Sequence, residues 1–333
     1  MQIYIEGIFK LSNKEHIWPI NDRNGEEVTC TLLQQNKLNY YPFHITAYGM
    51  KDEGPMPTNL EDYLFDLRGY LILKGALSKS EVAALNQGLD DVPPLQRNEW
   101  HGAVHRQDQA DYLGVNLQQI YEAGAPFEAL IDHPSWIEHL NRYVGGDDGL
   151  YIDENFANLR GPGEAINLHS GGHKRRIRTQ FRFHNNMFRC GEVNILLALT
   201  DIGPGDGATM VIPGSHKSNL VHPQFEEKST GVGADNIEGA IEVHLDAGDA
   251  ILFVDAIAHG SAQRKNPGQR RIMVYRYGPQ WSYTRYGYEP SAELLQRLTP
   301  ARRKIVQPIP PRRPPHSTNG AATVTSSSDV AEY

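Results

Sequence analysis

Beyond Tyr151, apolar positions come in short runs separated by Gly, Pro and Asp turns, the pattern of strands rather than of amphipathic helices. Strands are expected over 151–158, 164–169, 177–183, 192–200, 207–212, 240–245, 249–254 and 270–277. Turn signals separate them, among them Gly161-Pro162-Gly163, Gly203-Pro204-Gly205-Asp206-Gly207 and Ala247-Gly248-Asp249. So spaced, they fit a mainly β fold: a double-stranded β-helix (jelly roll, cupin-like) core with flanking α-helices. Upstream, Gly69-Tyr70-Leu71-Ile72-Leu73 reads as a buried strand. Ser78 opens a helix, with Glu81 completing a capping box and Val82, Leu85 and Leu89 forming the apolar stripe. Residues 127–144 read as another helix, interrupted at Pro134.

The same pattern divides the chain. Residues 1–57 mix strand-like pieces (Ile3-Tyr4-Ile5, then 28–33) with Gly and Pro and read as an N-terminal elaboration. Residues 58–300 make up the jelly-roll domain with its helical N-terminal part. From 308 to 333 the sequence is rich in Pro, Ser, Thr and Ala, lacks apolar periodicity and reads as a disordered tail.

At 333 residues and 39% hydrophobic the chain has enough apolar material for a core, and its net charge of -8 argues against a nucleic-acid polymer as partner. Cys30 and Cys190 are the only cysteines, so neither a disulfide framework nor a cysteine metal cluster is expected, and a reducing cytoplasm fits. No signal peptide and no apolar run long enough to span a membrane is expected. Oligomeric state stays open.

Candidate chemistry lies in two patches. His169-Ser170-Gly171 ends one expected strand. His259-Gly260-Ser261 follows the apolar strand 250–254, and Arg270 comes eleven residues after its histidine. Two histidines and a carboxylate form the facial triad of non-haem Fe(II) oxygenases. Here a glycine holds the place two residues after the first histidine, where the carboxylate is expected. The only His-x-Asp is His244-Leu245-Asp246, whose aspartate opens a turn and which reads as a strand end. His173 and His184 are alternative proximal ligands without a carboxylate two residues on. An inward guanidinium at Arg270 would need an anion, which a dicarboxylate offers bidentately, and Ser261 adds a hydroxyl. Asn158 and Arg160 could face the same pocket.

With these residues, and with Leu199-Thr200-Asp201 and Pro213-Gly214-Ser215-His216-Lys217, the chain resembles the phytanoyl-CoA dioxygenase-like Fe(II)/2-oxoglutarate oxygenases over about 66–278. The resemblance implies that His169 and His259 bind iron, that Arg270 and Ser261 hold 2-oxoglutarate with Asn158 beside them, and that His216 is structural. It implies Fe(II), 2-oxoglutarate and O2 as cofactors. Members of this class that carry Gly or Ala in place of the aspartate chlorinate unactivated carbon, which makes Gly171 the expected halide site and adds chloride. Three readings stay open: a halogenase, a hydroxylase with a variant metal site, and a non-enzymatic jelly roll.

The segment 174–184 is strongly basic in an acidic chain. Strand alternation would put Arg176, Arg178, Gln180 and Arg182 on one face, and with Lys174 these arginines are candidates for an anionic substrate group. A solvated outer face is the alternative. Within the halogenating branch the resemblance points to nucleotide halogenases of antibiotic biosynthesis, which act on 2'-deoxyadenosine monophosphate. Phe181, Phe183, Phe188, Trp281 and Tyr283 are candidates to stack on a base, or to lie in the core.

Overall fold

The computed structural model describes residues 17–21, 27–31, 54–145, 149–227, 237–280 and 290–307. The chain divides into Met1–Glu53 and Gly54–Tyr333. Within the first unit, β1 (Ile17–Asn21) and β2 (Glu27–Thr31) form an antiparallel pair. The expected strand at Ile3-Tyr4-Ile5, the expected tail from 308, and Trp281 and Tyr283 lie outside the described residues.

Two helices of the second unit start by the same device. Thr58 caps α1 (Asn59–Arg68) and Ser78 caps α2 (Lys79–Asp91). In each the cap hydroxyl takes the N3 backbone N–H, and the glutamate at N3, Glu61 or Glu81, accepts the cap's own N–H at 2.7 Å. Gly69, left-handed at φ 83, ends α1 and turns the chain into β3 (Tyr70–Leu73). Leu85 and Leu89 of α2 are buried, and Val82 is half-buried. Three short strands follow that the sequence pattern did not announce: β4 (Trp100–His101), β5 (Val104–Arg106) and β6 (Val115–Gln118). The helix expected over 127–144 is instead a series of single turns, among them α3 (Ala125–Glu128) and α4 (Ile137–Leu140). The break falls around Pro134, whose missing N–H cannot continue a helix.

Then come the strands of the roll: β7 (Leu150–Arg160), β8 (Ile166–His169), β9 (Phe181–His184), β10 (Met187–Cys190), β11 (Val193–Ala198) and β12 (Thr209–Val211). After them come β13 (Ile241–Val243), β14 (Ala250–Val254), β15 (His259–Ser261) and β16 (Arg270–Pro279). One sheet has the order β3-β14-β11-β16-β7-β6-β5-β4, the other β13-β12-β15-β8, with antiparallel neighbours. The main core includes the wholly buried β11 and β14, Trp136, Tyr275 and Tyr277. The fold is mainly β, as the strand pattern requires.

One expected strand is corrected. Residues 174–179 do not extend; they turn, because the buried Thr179 hydroxyl donates to the Lys174 carbonyl and accepts the Arg176 N–H at 3.1 Å. Only Phe181–His184 is strand, hairpinned to β10 through Asn185 and Asn186, both at positive φ. Arg176, Arg178 and Arg182 therefore do not share a strand face.

Candidate functional site

Pairing of β8 with β15 sets His169 opposite His259, and their ring centroids lie 4.2 Å apart. Each ring is held by its Nδ1 against the carbonyl two residues earlier, Asn167 at 3.1 Å for His169 and Ile257 at 2.7 Å for His259. A carbonyl can only accept, so each Nδ1 carries the proton and each Nε2 keeps its lone pair. The Nε2 of His259 is buried and has no protein partner. Burial, and then the neighbouring His169, push the His259 pKa down to about 3. Burial of its ring nitrogens among neighbouring groups also lowers that of His169, although the residue as a whole is exposed. Two neutral imidazole nitrogens in this arrangement suit a metal of Fe(II) type. Among the described residues no set of three or more His, Cys, Asp or Glu side chains could hold a metal ion.

Gly171 stands at φ +112, a backbone state that side-chain-bearing residues rarely adopt, and a Cβ there would lie 2.7 Å from the His173 ring. The space where a residue-171 side chain would begin is thus taken by that imidazole. Gly260 is required for another reason: a Cβ would come 2.5 Å from the Ile166 carbonyl, so β15 can lie against β8 only with glycine between its histidine and serine.

Ser261 projects on the same side of β15 as His259, about 6.6 Å further along the strand. Facing it from the larger sheet is a cluster of buried guanidiniums. Arg270 and Arg160 are direct partners on β16 and β7, and Arg264 is also buried. Arg160 Nη1 donates to Ser261 Oγ at 2.6 Å. Arg270 donates to Asn158 Oδ1 at 3.2 Å and to the Gly207 carbonyl. Arg264 is matched by Asp206 at 3.1 Å; Arg270 has no carboxylate partner among the described residues. Burial, then Arg160 and Arg264, push the Arg270 pKa down to about 9. Guanidinium groups do not give up their proton in proteins, so the relief for such a cluster is a bound anion.

Asn158 is placed differently from expectation. Its amide donates to the Leu113 carbonyl at 2.9 Å and to Asn116 at 3.3 Å while its oxygen accepts from Arg270. It aims Arg270 rather than presenting a free group. Arg160, noted in the sequence only for its nearness to β8, is central, and Arg264 gave no signal there.

The basic run disperses. Lys174 and Arg176 are exposed, and Arg178 pairs with buried Asp255 at 3.4 Å. Of the four predicted substrate-binding residues only Arg182 lines the cavity of ≈ 700 Å³ beside the β9–β10 hairpin, which His184 also lines. Phe181 packs with Phe65 and Phe188, Phe188 is buried, and Phe183 is half exposed at the cavity. His244 pairs with Glu242 at 2.9 Å, and Asp246 binds Lys74 at 3.2 Å in its turn. His216 is buried, with its Nε2 at 3.0 Å from the Asp66 carbonyl.

The profile of the phytanoyl-CoA dioxygenase family matches residues 65–272. A dioxygenase of Talaromyces verruculosus is 30% identical over 115 residues, 34% of this chain and 35% of its own length. An iron/alpha-ketoglutarate-dependent dioxygenase of Aspergillus calidoustus is 28% identical over 117 residues, 34% of this chain and 36% of its own length. The matched stretch thus spans about a third of these relatives. Among solved structures, HygX from Streptomyces hygroscopicus with nickel and 2-oxoglutarate bound shares the fold at TM-score 0.57 and 22% identity, over 68% of this chain and 88% of its own. No helix among the described residues is long and apolar enough to cross a membrane.

Proposed function

The chain belongs to the phytanoyl-CoA dioxygenase family, and with it to the Fe(II)/2-oxoglutarate-dependent dioxygenases, and from that premise we propose that it is a radical halogenase. Its reaction is the chlorination of an unactivated carbon on a small phosphorylated substrate, of nucleotide type, in antibiotic biosynthesis. The observation that carries this reading is the pair His169 and His259, with Gly171 where the family's acid would stand and no third protein ligand within reach among the described residues. A site with two neutral nitrogen donors leaves coordination positions and uncompensated metal charge for an exogenous anion, and chloride meets both needs.

In this reading the Nε2 atoms of His169 and His259 hold the iron. Arg270, aimed by Asn158, holds the distal carboxylate of 2-oxoglutarate. Ser261 accepts from Arg160, so its single proton is left to donate to the same carboxylate. When bound, Fe(II) with 2-oxoglutarate and O2 supplies the oxidising power that unactivated carbon requires. Gly171 contributes no oxygen ligand that would compete with the halide.

A hydroxylase with a variant metal site is the second reading. It is favoured by the dioxygenase names of the curated relatives and by the His173 ring lying against Gly171. One assay separates the two. Protein is loaded without oxygen with Fe(II), 2-oxoglutarate and chloride, O2 is admitted, and succinate and product masses are followed over a nucleotide panel. Chlorine isotope pairs that require chloride are the expected result. Gain of one oxygen regardless of chloride sinks the halogenase, and failure to bind either iron or 2-oxoglutarate returns the chain to a non-enzymatic jelly roll.

A further inference from the structure

The β9–β10 hairpin sets Arg182 directly opposite Arg189, and both line the ≈ 700 Å³ cavity. Like charges facing each other across two strands repel, and the arrangement is stable only where water or an anion screens it. Neither guanidinium has a carboxylate partner among the described residues; the hydrogen bond of Arg189 is to Met187 Sδ at 3.8 Å. Gln180 and His184 add further donor capacity, and among the described residues no acidic side chain lines the space. In a chain of net charge -8 this is a concentrated positive site.

A short relay of backbone contacts links the cavity wall to the strand end that carries His259. Gly191 on its wall donates to the Gln180 carbonyl at 2.8 Å, and the next residue, Glu192, accepts from the backbone of Asp255 at 2.9 Å. Asp255 lies four residues before His259, and its charge acts on both His169 and His259.

We propose that Arg182 and Arg189 together form the binding site for a phosphomonoester group of the substrate. Two planar guanidiniums side by side offer paired N–H donors to the three terminal oxygens of a phosphate, a geometry that a single arginine or a lysine does not supply. Gln180 is placed to donate to the same group. Half-exposed Phe183, also on the wall, gives the attached organic part an apolar face. The inference rests on the proposed function only in taking the substrate to be phosphorylated; it does not depend on which atom replaces hydrogen.

The test is calorimetric titration of the Fe(II)- and 2-oxoglutarate-loaded protein without O2 or chloride, using 2'-deoxyadenosine monophosphate, 2'-deoxyadenosine and inorganic phosphate. Wild type should prefer the monophosphate to the nucleoside by ten-fold or more. R182Q and R189Q should each erase most of that preference with nucleoside binding unchanged, and R182K should restore part of it. Both residues are on the surface of a hairpin, and the melting temperature of each variant confirms folding. Loss of nucleoside and nucleotide binding alike, no loss in either variant, or a wild type with no preference for the monophosphate overturns the site. Because no turnover is read, a wild type that binds the monophosphate but gains oxygen in the mass assay refutes the halogenase alone. A wild type that chlorinates but shows no arginine-dependent phosphate preference refutes this site alone.

Discussion

Arg160 and Ser261 are joined across the two sheets of the roll, guanidinium Nη1 to hydroxyl Oγ at 2.6 Å, with Arg270 directly opposite Arg160 in the β7–β16 register. A hydroxyl has one proton to give. By occupying an oxygen lone pair, Arg160 fixes where that proton points, and it adds a second positive charge to the floor of the pocket.

Arg160→Gln should therefore weaken 2-oxoglutarate binding by roughly 10- to 100-fold, the equivalent of about 1.5–3 kcal/mol for a charge-assisted hydrogen bond. The measurement is the rise in melting temperature with added 2-oxoglutarate or succinate, which needs no turnover. Arg160→Lys should recover part of the response, and KM for 2-oxoglutarate should move more than kcat. An unchanged thermal response in a folded Arg160→Gln protein would remove Arg160 from the pocket.

Gly171 separates backbone strain from ligand chemistry. Any side chain there meets φ +112 and the His173 ring at 2.7 Å, so Gly171→Ala should cost about 1–3 kcal/mol of stability, read by urea unfolding. Under the halogenase reading Gly171→Ala keeps chlorinating, while Gly171→Asp, equally strained, loses chlorination with or without gaining hydroxylation. Chlorination retained by Gly171→Asp would mean that position 171 does not face the metal.

What the sequence made legible follows from the range of the forces involved. Apolar runs bounded by Gly and Pro located β3, β7, β8, β11, β12, β13, β14 and β16 because burial demands that pattern, whereas the short β4, β5, β6 and β15 of the same two sheets carry no such run. His259, Ser261 and Arg270 could be picked out because their spacing is local to one strand and a short connection, whereas His169 was marked by the family resemblance. Arg160 could not be weighted, since its role comes from the β7–β16 register that sets it opposite Arg270, with Ser261 101 residues further along the chain. The misread stretch was 174–184. Its alternating basic and apolar letters imitate a strand, but one buried hydroxyl, Thr179, ties 174–179 into a turn. That turn sends Arg178 inward to Asp255 and leaves Arg182 to pair with Arg189.

Arg178 is consequently expected to serve the fold rather than the substrate. Its guanidinium lies 3.4 Å from the buried carboxylate of Asp255, which Arg276 also approaches at 3.3 Å. Arg178→Gln should lower stability by about 1–3 kcal/mol by removing one cation from a buried anion, with the substrate KM little changed once the variant is folded. Denaturant midpoints and steady-state kinetics on the same preparation decide it. A large rise in KM with unaltered stability would return Arg178 to the substrate site.

Acidification should destabilise the metal-free protein for an identifiable reason. Burial holds His259 near a pKa of about 3 and His216 near about 4, against an ordinary value near 6.5 in the unfolded chain. Between those limits the unfolded state takes up protons that the folded state refuses, so the folded state loses ground as pH falls. Their stabilising effect is complete above pH 6.5 or so, and it drains away as pH falls through that value toward the folded pKa values. For His259 alone the loss reaches roughly 3 kcal/mol by pH 4. Urea unfolding of apo wild type at pH 7.5, 6, 5 and 4 gives the slope. His259→Asn, which has no proton to gain, should show a shallower one over the same interval. Parallel slopes for the two proteins would mean that His259 is not held neutral in the fold, and its Nε2 would then lose its standing as a preformed metal ligand.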